Sequence, residues 1–232
     1  MASSGAQQNT LIDDGKPASA TSGIVLHSPA FYDFIVWLAF LGKEREFRQK
    51  VLRLARLQSG DCVLDIGCGT GTLAIAAKQQ VGVKGRVYGL DASPEMLARA
   101  EKKARKASVE VVFRNGIVEK MPFPDAQFDA VLSTVMLHHL PRKARLECAR
   151  EMRRVAKLGG RILVIDFDGT DQSHGIVSRI HRGHGHVSLQ DLTALLNEAG
   201  LEVVDSGAVG FRDLNFVLSK SACCGELTSK RL

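Results

Sequence analysis

The chain has 232 residues, of which 45% are hydrophobic and 24% charged, with a formal net charge of +6. These values are ordinary for a globular protein and leave enough apolar material for one sizeable core. The basic balance keeps nucleic acid, anionic lipid and acidic small molecules in view, but its densest run, Glu101-Lys102-Lys103-Ala104-Arg105-Lys106, reads as the wet face of a helix.

The cysteines, Cys62, Cys68, Cys148, Cys223 and Cys224, are odd in number and form no CxxC pair. This argues against zinc or a disulfide framework and for a reducing, cytoplasmic setting. Cys68 reads as a small residue tolerated in a tight turn. No transmembrane segment is expected, because the longest apolar stretch, 31–41, is far short of the roughly 20 residues that span a bilayer. Residues 1–23, rich in small and polar types without an apolar run, read as a disordered tail with no secretory signal. Residues 221–232 read as a C-terminal tail whose last four residues only loosely match a peroxisomal address.

Pro29 opens a helix predicted over 29–41, whose Phe31, Tyr32, Phe34, Trp37, Phe40 and Leu41 make it apolar around much of its circumference. An amphipathic helix is predicted over 43–57. Together 24–57 is expected to form a helical lid over an apolar pocket, with packing as core as the competing reading. Gly60-Asp61 then turns the chain into a strand over 62–66. A helix over 72–80, a turn at 82–85 and a strand over 86–90 follow. Ser93-Pro94-Glu95 opens the next helix, with Ser as cap and Pro in the first turn, and this helix runs to about residue 107. Further strands are predicted over 109–114, 128–133 and 161–166, with a helix over 146–155. A last helix over 188–199 is stopped by Gly200, and strands over 201–206 and 215–219 complete the count. The alternation predicts an α/β fold over 58–220. It is a Rossmann-like, seven-stranded, doubly wound sheet, mostly parallel with an antiparallel last strand and helices on both faces. Ligands bind such sheets beyond the carboxyl ends of the strands.

The strongest signal lies at such an end, in Val63-Leu64-Asp65-Ile66-Gly67-Cys68-Gly69-Thr70-Gly71. Gly67 and Gly69 let a ligand approach the backbone, and the helix starting near Gly71 offers free N–H groups. Asp65 suits a cation, such as the ammonium of a bound amino acid, better than a pyrophosphate. The spacing G-x-G-x-G also departs from the G-x-G-x-x-G of nicotinamide sites. Asp91, ending the second strand, can accept both ribose hydroxyls of an adenosine.

On these residues the segment 51–167 resembles class I S-adenosylmethionine methyltransferases, especially their ubiquinone/menaquinone C-methyltransferase-like branch. Met121-Pro122-Phe123-Pro124-Asp125, Gln127-Phe128-Asp129, His138-His139-Leu140 and the stretch from Arg154 to Gly160 resemble later blocks of that family in the expected order. The resemblance implies S-adenosyl-L-methionine as cofactor, with its methionine end held by Asp65, Gly67, Gly69, Thr70 and Gly71. It places the ribose on Asp91 and the adenine beside Ala92 and Met96. It also implies that Ile117 and Val118 close over the base and that Ser133 and Thr134 flank the methionine portion. Ile117 departs from the family's frequent Asp or Asn, so the base must rely there on backbone groups and packing.

For chemistry, His138 and His139, or Asp166 with Asp168 as rivals, can serve as a base, since His titrates near neutral pH. The run His181-Arg182-Gly183-His184-Gly185-His186, with His174 nearby, reads as substrate contact or solvated loop. No metal is expected, because no carboxylate or cysteine stands at matched spacing. The aromatic first helix points to a small, lipophilic or aromatic acceptor methylated on O, N or C. The cap over the acceptor is short, and a homodimer could complete it. The alternatives are a non-methylating rearrangement that uses the same cofactor, or an RNA methyltransferase. Nucleic acid is the less favoured partner, since no appended RNA-binding domain, aromatic-rich basic groove or Asn-Pro-Pro-Tyr type of motif is present.

Overall fold

A computed structural model of the protein describes residues 43–167, 187–211 and 213–222. The expected helix over 29–41, Asp168, His174, the histidines 181–186, Cys223, Cys224, the N-terminal tail and residues 223–232 of the C-terminal tail lie outside these residues. Ser221, expected in that tail, ends the last strand, and Ala222 is also described.

Helix α1 (Glu44–Leu54) buries Phe47, Val51 and Leu52 on one stripe. It ends before Arg56, whose φ of 52° takes the chain out of helical geometry. Strand β1 (Cys62–Ile66), helix α2 (Thr72–Val81), strand β2 (Arg86–Asp91), helix α3 (Pro94–Lys106) and strand β3 (Val112–Asn115) follow. Strand β4 (Phe128–Thr134) leads through a single 3-10 turn (Leu137–His139) into helix α4 (Arg142–Val155) and strand β5 (Ala156–Phe167). Helix α5 (Leu189–Glu198), strand β6 (Leu201–Ala208) and strand β7 (Leu214–Ser221) close the fold.

The seven strands form one sheet in the order β3-β2-β1-β4-β5-β7-β6. Strands β1 to β5 pair in parallel, and β7 runs antiparallel to both β5 and β6. The chain winds outward from β1 to β3 and then returns to lay β4 on the other side of β1. The carboxyl ends of β1 and β4 therefore diverge, which opens a crevice there.

Strand alternation divides the core. Leu64 and Ile66 join Val131, Ile162 and Val164 under α4 and α5. Val63 joins Ala130, Leu132, Leu163 and Ile165 beneath α1 and α2. Successive side chains of a strand point to opposite faces, so a sheet buried on both sides needs these unbroken apolar runs.

Several boundaries move from expectation for local reasons. The part of the expected lid that α1 represents is core: Phe47, Val51, Leu52, Ala55 and Leu57 pack with Leu73, Ala77 and Val81 of α2. The strand expected from residue 109 begins at Val112, because the Val109 N–H still donates to Ala104 O of α3 at 3.1 Å. The helix expected from residue 146 begins at Arg142, directly after Pro141, whose fixed φ suits a helix entrance. Strand β5 starts at Ala156 rather than 161, and Lys157 to Gly160 loop out between the pairs Phe128–Ala156 and Ala130–Arg161.

Candidate cofactor and catalytic site

The loop after β1 takes the left-handed conformation at Gly67 (φ 65°) and Gly71 (φ 75°), which side chains disfavour. Space forbids a side chain as well: a Cβ on Gly67 would stand 2.4 Å from Met136 Cγ, and one on Gly71 would stand 2.7 Å from Ala100 Cβ. Asp91 holds this loop in place. Its Oδ2 accepts from the Gly69 N–H at 2.8 Å and its Oδ1 from the Ser93 N–H at 2.9 Å. Burial pushes the Asp91 carboxyl up from its ordinary range, against the pull of the N–H donors of Ser93, Gly69 and Ala92. Asn115 Nδ2 steadies the same corner by donating to the carbonyls of Asp91 and Ala92 at 3.1 and 3.0 Å. Met96 is buried, and its N–H donates to the capping Ser93 Oγ at 3.3 Å. Thr70, also buried, accepts at its hydroxyl from Lys103 Nζ at 2.7 Å, which brings a cation behind the loop.

Asp65 is 1% exposed, and its Oδ2 has no hydrogen-bond partner among the described residues. Burial, and then the charge of Asp91, push its carboxyl up to about 8, only partly offset by the Ala74 N–H. An orphaned buried oxygen is costly and signals a missing partner. The ammonium end of S-adenosylmethionine is such a partner, and the bare backbone of Gly67 leaves room beside it. These residues therefore fit that cofactor. The sign of the pH dependence follows. Below about pH 8 the free protein holds a proton on Asp65 that a bound cation must expel. The affinity for S-adenosylhomocysteine is expected to rise from pH 6 to pH 8, by up to about tenfold per unit. Calorimetry returning a flat affinity over that range would refute the coupling.

Beyond β3, Ile117 is half-buried and forms an isolated bridge with Lys120. The Val118 side chain belongs to the core cluster of Leu90, Met121 and Phe123. Ser133 is buried at the end of β4 with its hydroxyl unpartnered among the described residues, and Thr134 is half-buried. The chain then bends sharply. Val135 has a φ of 53°, strained for a β-branched residue, and its N–H donates to Ile165 O at 2.8 Å. The bend lays Met136 over Gly67 and starts the turn that carries the histidines.

His138 and Asp166, expected as rivals for one role, form a pair. Both are buried, with His138 Nδ1 2.7 Å from Asp166 Oδ1 and the His138 N–H donating to Asp166 Oδ2 at 3.0 Å. His139, half-buried, packs its ring 3.9 Å from that of His138, and Phe167 meets the His138 ring edge-on at 5.4 Å.

Sequence reading missed Arg145, which braces the site, and gave Arg154 only as part of a family block. Arg145 of α4 donates from Nε to Leu137 O at 2.9 Å. Arg154 ties the segment leading to β4 onto α4, donating to Met121 O, Phe123 O, Asp125 and Glu151. A signal existed for Arg145, which stands on the stripe of Cys148, Ala149 and Met152, where helical spacing calls for an apolar residue.

Residues 63–160 match the family described as "Methyltransferase domain". The chain is 36% identical over 146 residues to the chloroplastic 2-phytyl-1,4-beta-naphthoquinone methyltransferase of Arabidopsis thaliana, covering 61% of this chain and 55% of that one. It is 38% identical over 155 residues to the 27-O-demethylrifamycin SV methyltransferase of Amycolatopsis mediterranei, covering 63% and 56%. It thus spans about half the length of the curated relatives it matches. Among solved structures, a SAM-dependent methyltransferase from Aquifex aeolicus superposes with a TM-score of 0.68 at 25% identity, over 85% of this chain and all of that one. No described helix is long and apolar enough to cross a membrane. With the glycine loop, the two buried aspartates and this sheet order in one place, residues 63–160 match the methyltransferase domain family and fit S-adenosylmethionine as cofactor.

Proposed function

We propose that the chain methylates a small lipophilic or aromatic acceptor, with a quinol-like ring as the favoured class, and that His138 is the base. The observation that carries this reading is the buried His138–Asp166 pair at the carboxyl ends of β4 and β5, beside the glycine loop. The quinone class is favoured by the naphthoquinone named for the Arabidopsis relative. The cofactor, when bound, supplies an electrophilic methyl group on a positively charged sulfur. Asp65 and the glycine loop hold its amino-acid end, and Asp91 holds its ribose.

The chain's own contribution to the chemistry is alignment and proton removal. Both carboxyl oxygens of Asp166 accept from backbone N–H groups, of His138 and Phe167, so Asp166 acts as the acceptor and keeps the imidazole proton on Nδ1. This leaves Nε2 of His138 to take the proton that a hydroxyl or acidic ring carbon of the acceptor gives up. His139 and Phe167 fix the ring plane, so no rotation is needed at the moment of transfer. A cytoplasmic setting is part of this reading, consistent with the free thiols of Cys62, Cys68 and Cys148.

With S-adenosylmethionine and a 2-alkyl-1,4-naphthoquinol, His138→Gln and Asp166→Asn are each expected to lower kcat by about 100-fold or more. Binding of S-adenosylhomocysteine should stay unchanged, and the double variant should be little worse than either single one. Full turnover in both single variants would remove His138 from the chemistry. A naphthoquinol returned rearranged but without an added methyl would favour the non-methylating alternative.

A further inference from the structure

We infer that Arg145 is a positioning residue for the proposed base, holding the Leu137–His139 turn in the geometry where the His138 ring meets Asp166. The inference rests on the reading of His138 given above.

Three observations carry it. Arg145 is 9% exposed on the buried stripe of α4, among Ala144, Cys148, Ala149 and Met152. A cation is costly there unless it is paired, and burial does pull its guanidinium down, while Asp166 and Asp191 act in the opposite sense. Next, the guanidinium reaches the turn itself, donating from Nε to Leu137 O at 2.9 Å and from a terminal nitrogen to His138 O at 3.5 Å. Finally, the turn has little intrinsic support. It is a single 3-10 turn of three residues, entered through Val135 in a strained left-handed conformation. The Val135 N–H bond to Ile165 O pins its entrance, and Arg145 pins the carbonyls one turn further on. Between those two anchors the main chain and ring of His138 both reach Asp166.

The charge of Arg145 acts in the same direction. The groups that meet His138 include Asp166 and Phe167 from β5, His139 from the same turn and Arg145 from α4, while Asp191 at the start of α5 bears on Arg145. Arg145 brings a fixed positive charge toward Asp166, the carboxylate that accepts the Nδ1 proton. Lysine preserves that charge but cannot span two carbonyls with a rigid planar fork. The two contributions can therefore be separated.

The test is proton NMR of the full chain with S-adenosylhomocysteine added, following the downfield imidazole N–H resonance that a buried His–Asp bond produces and that His138→Gln must abolish. Arg145→Gln is expected to lose this resonance, or to speed its exchange with water by at least about tenfold, while the affinity for S-adenosylhomocysteine is unchanged. Arg145→Lys should retain the resonance with faster exchange. With the naphthoquinol acceptor, Arg145→Gln should lower kcat by about 100-fold with KM little changed, as misplacement of a catalytic group does. An Arg145→Gln protein with the natural resonance and exchange rate overturns the inference, as does a natural chain that shows no such resonance. If circular dichroism shows Arg145→Gln unfolded, Arg145→Lys decides, and natural exchange with natural kcat in that variant overturns the proposal. Should His138→Gln keep full turnover, the base reading falls while the resonance still reports on Arg145.

Discussion

Asp65→Asn is expected to raise the melting temperature of the ligand-free protein at pH 8 and to weaken S-adenosylhomocysteine binding by more than a hundredfold. Both effects come from one carboxyl that is 1% exposed and has an orphaned oxygen. Its folded-state value of about 8 lies far above that of an unfolded aspartate. The stabilisation from holding its proton is full in acid and is lost as pH rises toward 8. The loss is on the order of 5 kcal/mol at most. Asparagine cannot ionise, so it removes that loss. It also removes the charge that a bound ammonium needs, which is worth about 3 kcal/mol or more, over a hundredfold in Kd. Thermal melts at pH 5 and pH 8 should show the stabilisation growing with pH. A variant less stable than the natural chain at pH 8, or one that binds S-adenosylhomocysteine normally, would show that Asp65 is not poised for a cation.

Asp91→Ala is expected to weaken S-adenosylhomocysteine binding by about 2–4 kcal/mol, since hydrogen bonds to a carboxylate are the strong ones. Two losses combine. The ribose hydroxyls lose their acceptor, and the Gly69 N–H loses the bond at 2.8 Å that shapes the glycine loop. Asp91→Asn separates them, because its amide oxygen still accepts one bond, and it should cost less than alanine. Calorimetry with adenosine alone supplies a further check. If Asp91 binds the ribose, adenosine loses affinity in the alanine variant; if Asp91 only shapes the loop, adenosine is hardly affected. Unchanged S-adenosylhomocysteine affinity in Asp91→Ala would mean that the nucleoside lies elsewhere.

The candidate cofactor loop was legible because it is contiguous in sequence. One strand, its glycine loop and the next strand's last residue carry the pattern, and the spacing G-x-G-x-G after Asp65 separates it from a nicotinamide site. The sheet was legible for a similar reason, since short apolar runs alternating with amphipathic stretches leave few topologies open. The proposed catalytic pair was legible only as a set of candidates. His138 and Asp166 stand 28 residues apart, and nothing in their local sequence says that they meet. Their pairing depends on β4 and β5 lying side by side, and on Val135 bending the chain back.

From the residues alone came the α/β class, the doubly wound sheet, the glycine loop with its two acids, and the capped start of α3 at Ser93. Each of these is set by local propensity or by periodicity, which act within a few residues. Only the tertiary structure decided that α1 belongs to the core, that β5 begins at Ala156, that Asp91 braces the loop, and that Arg145 reaches the histidine turn. All four depend on which surfaces meet across long sequence separations. An amphipathic helix carries the same apolar stripe whether it closes over a pocket or packs on a sheet. A buried arginine likewise looks out of place until the carbonyls it serves are brought to it by the packing of α4 against β4 and β5.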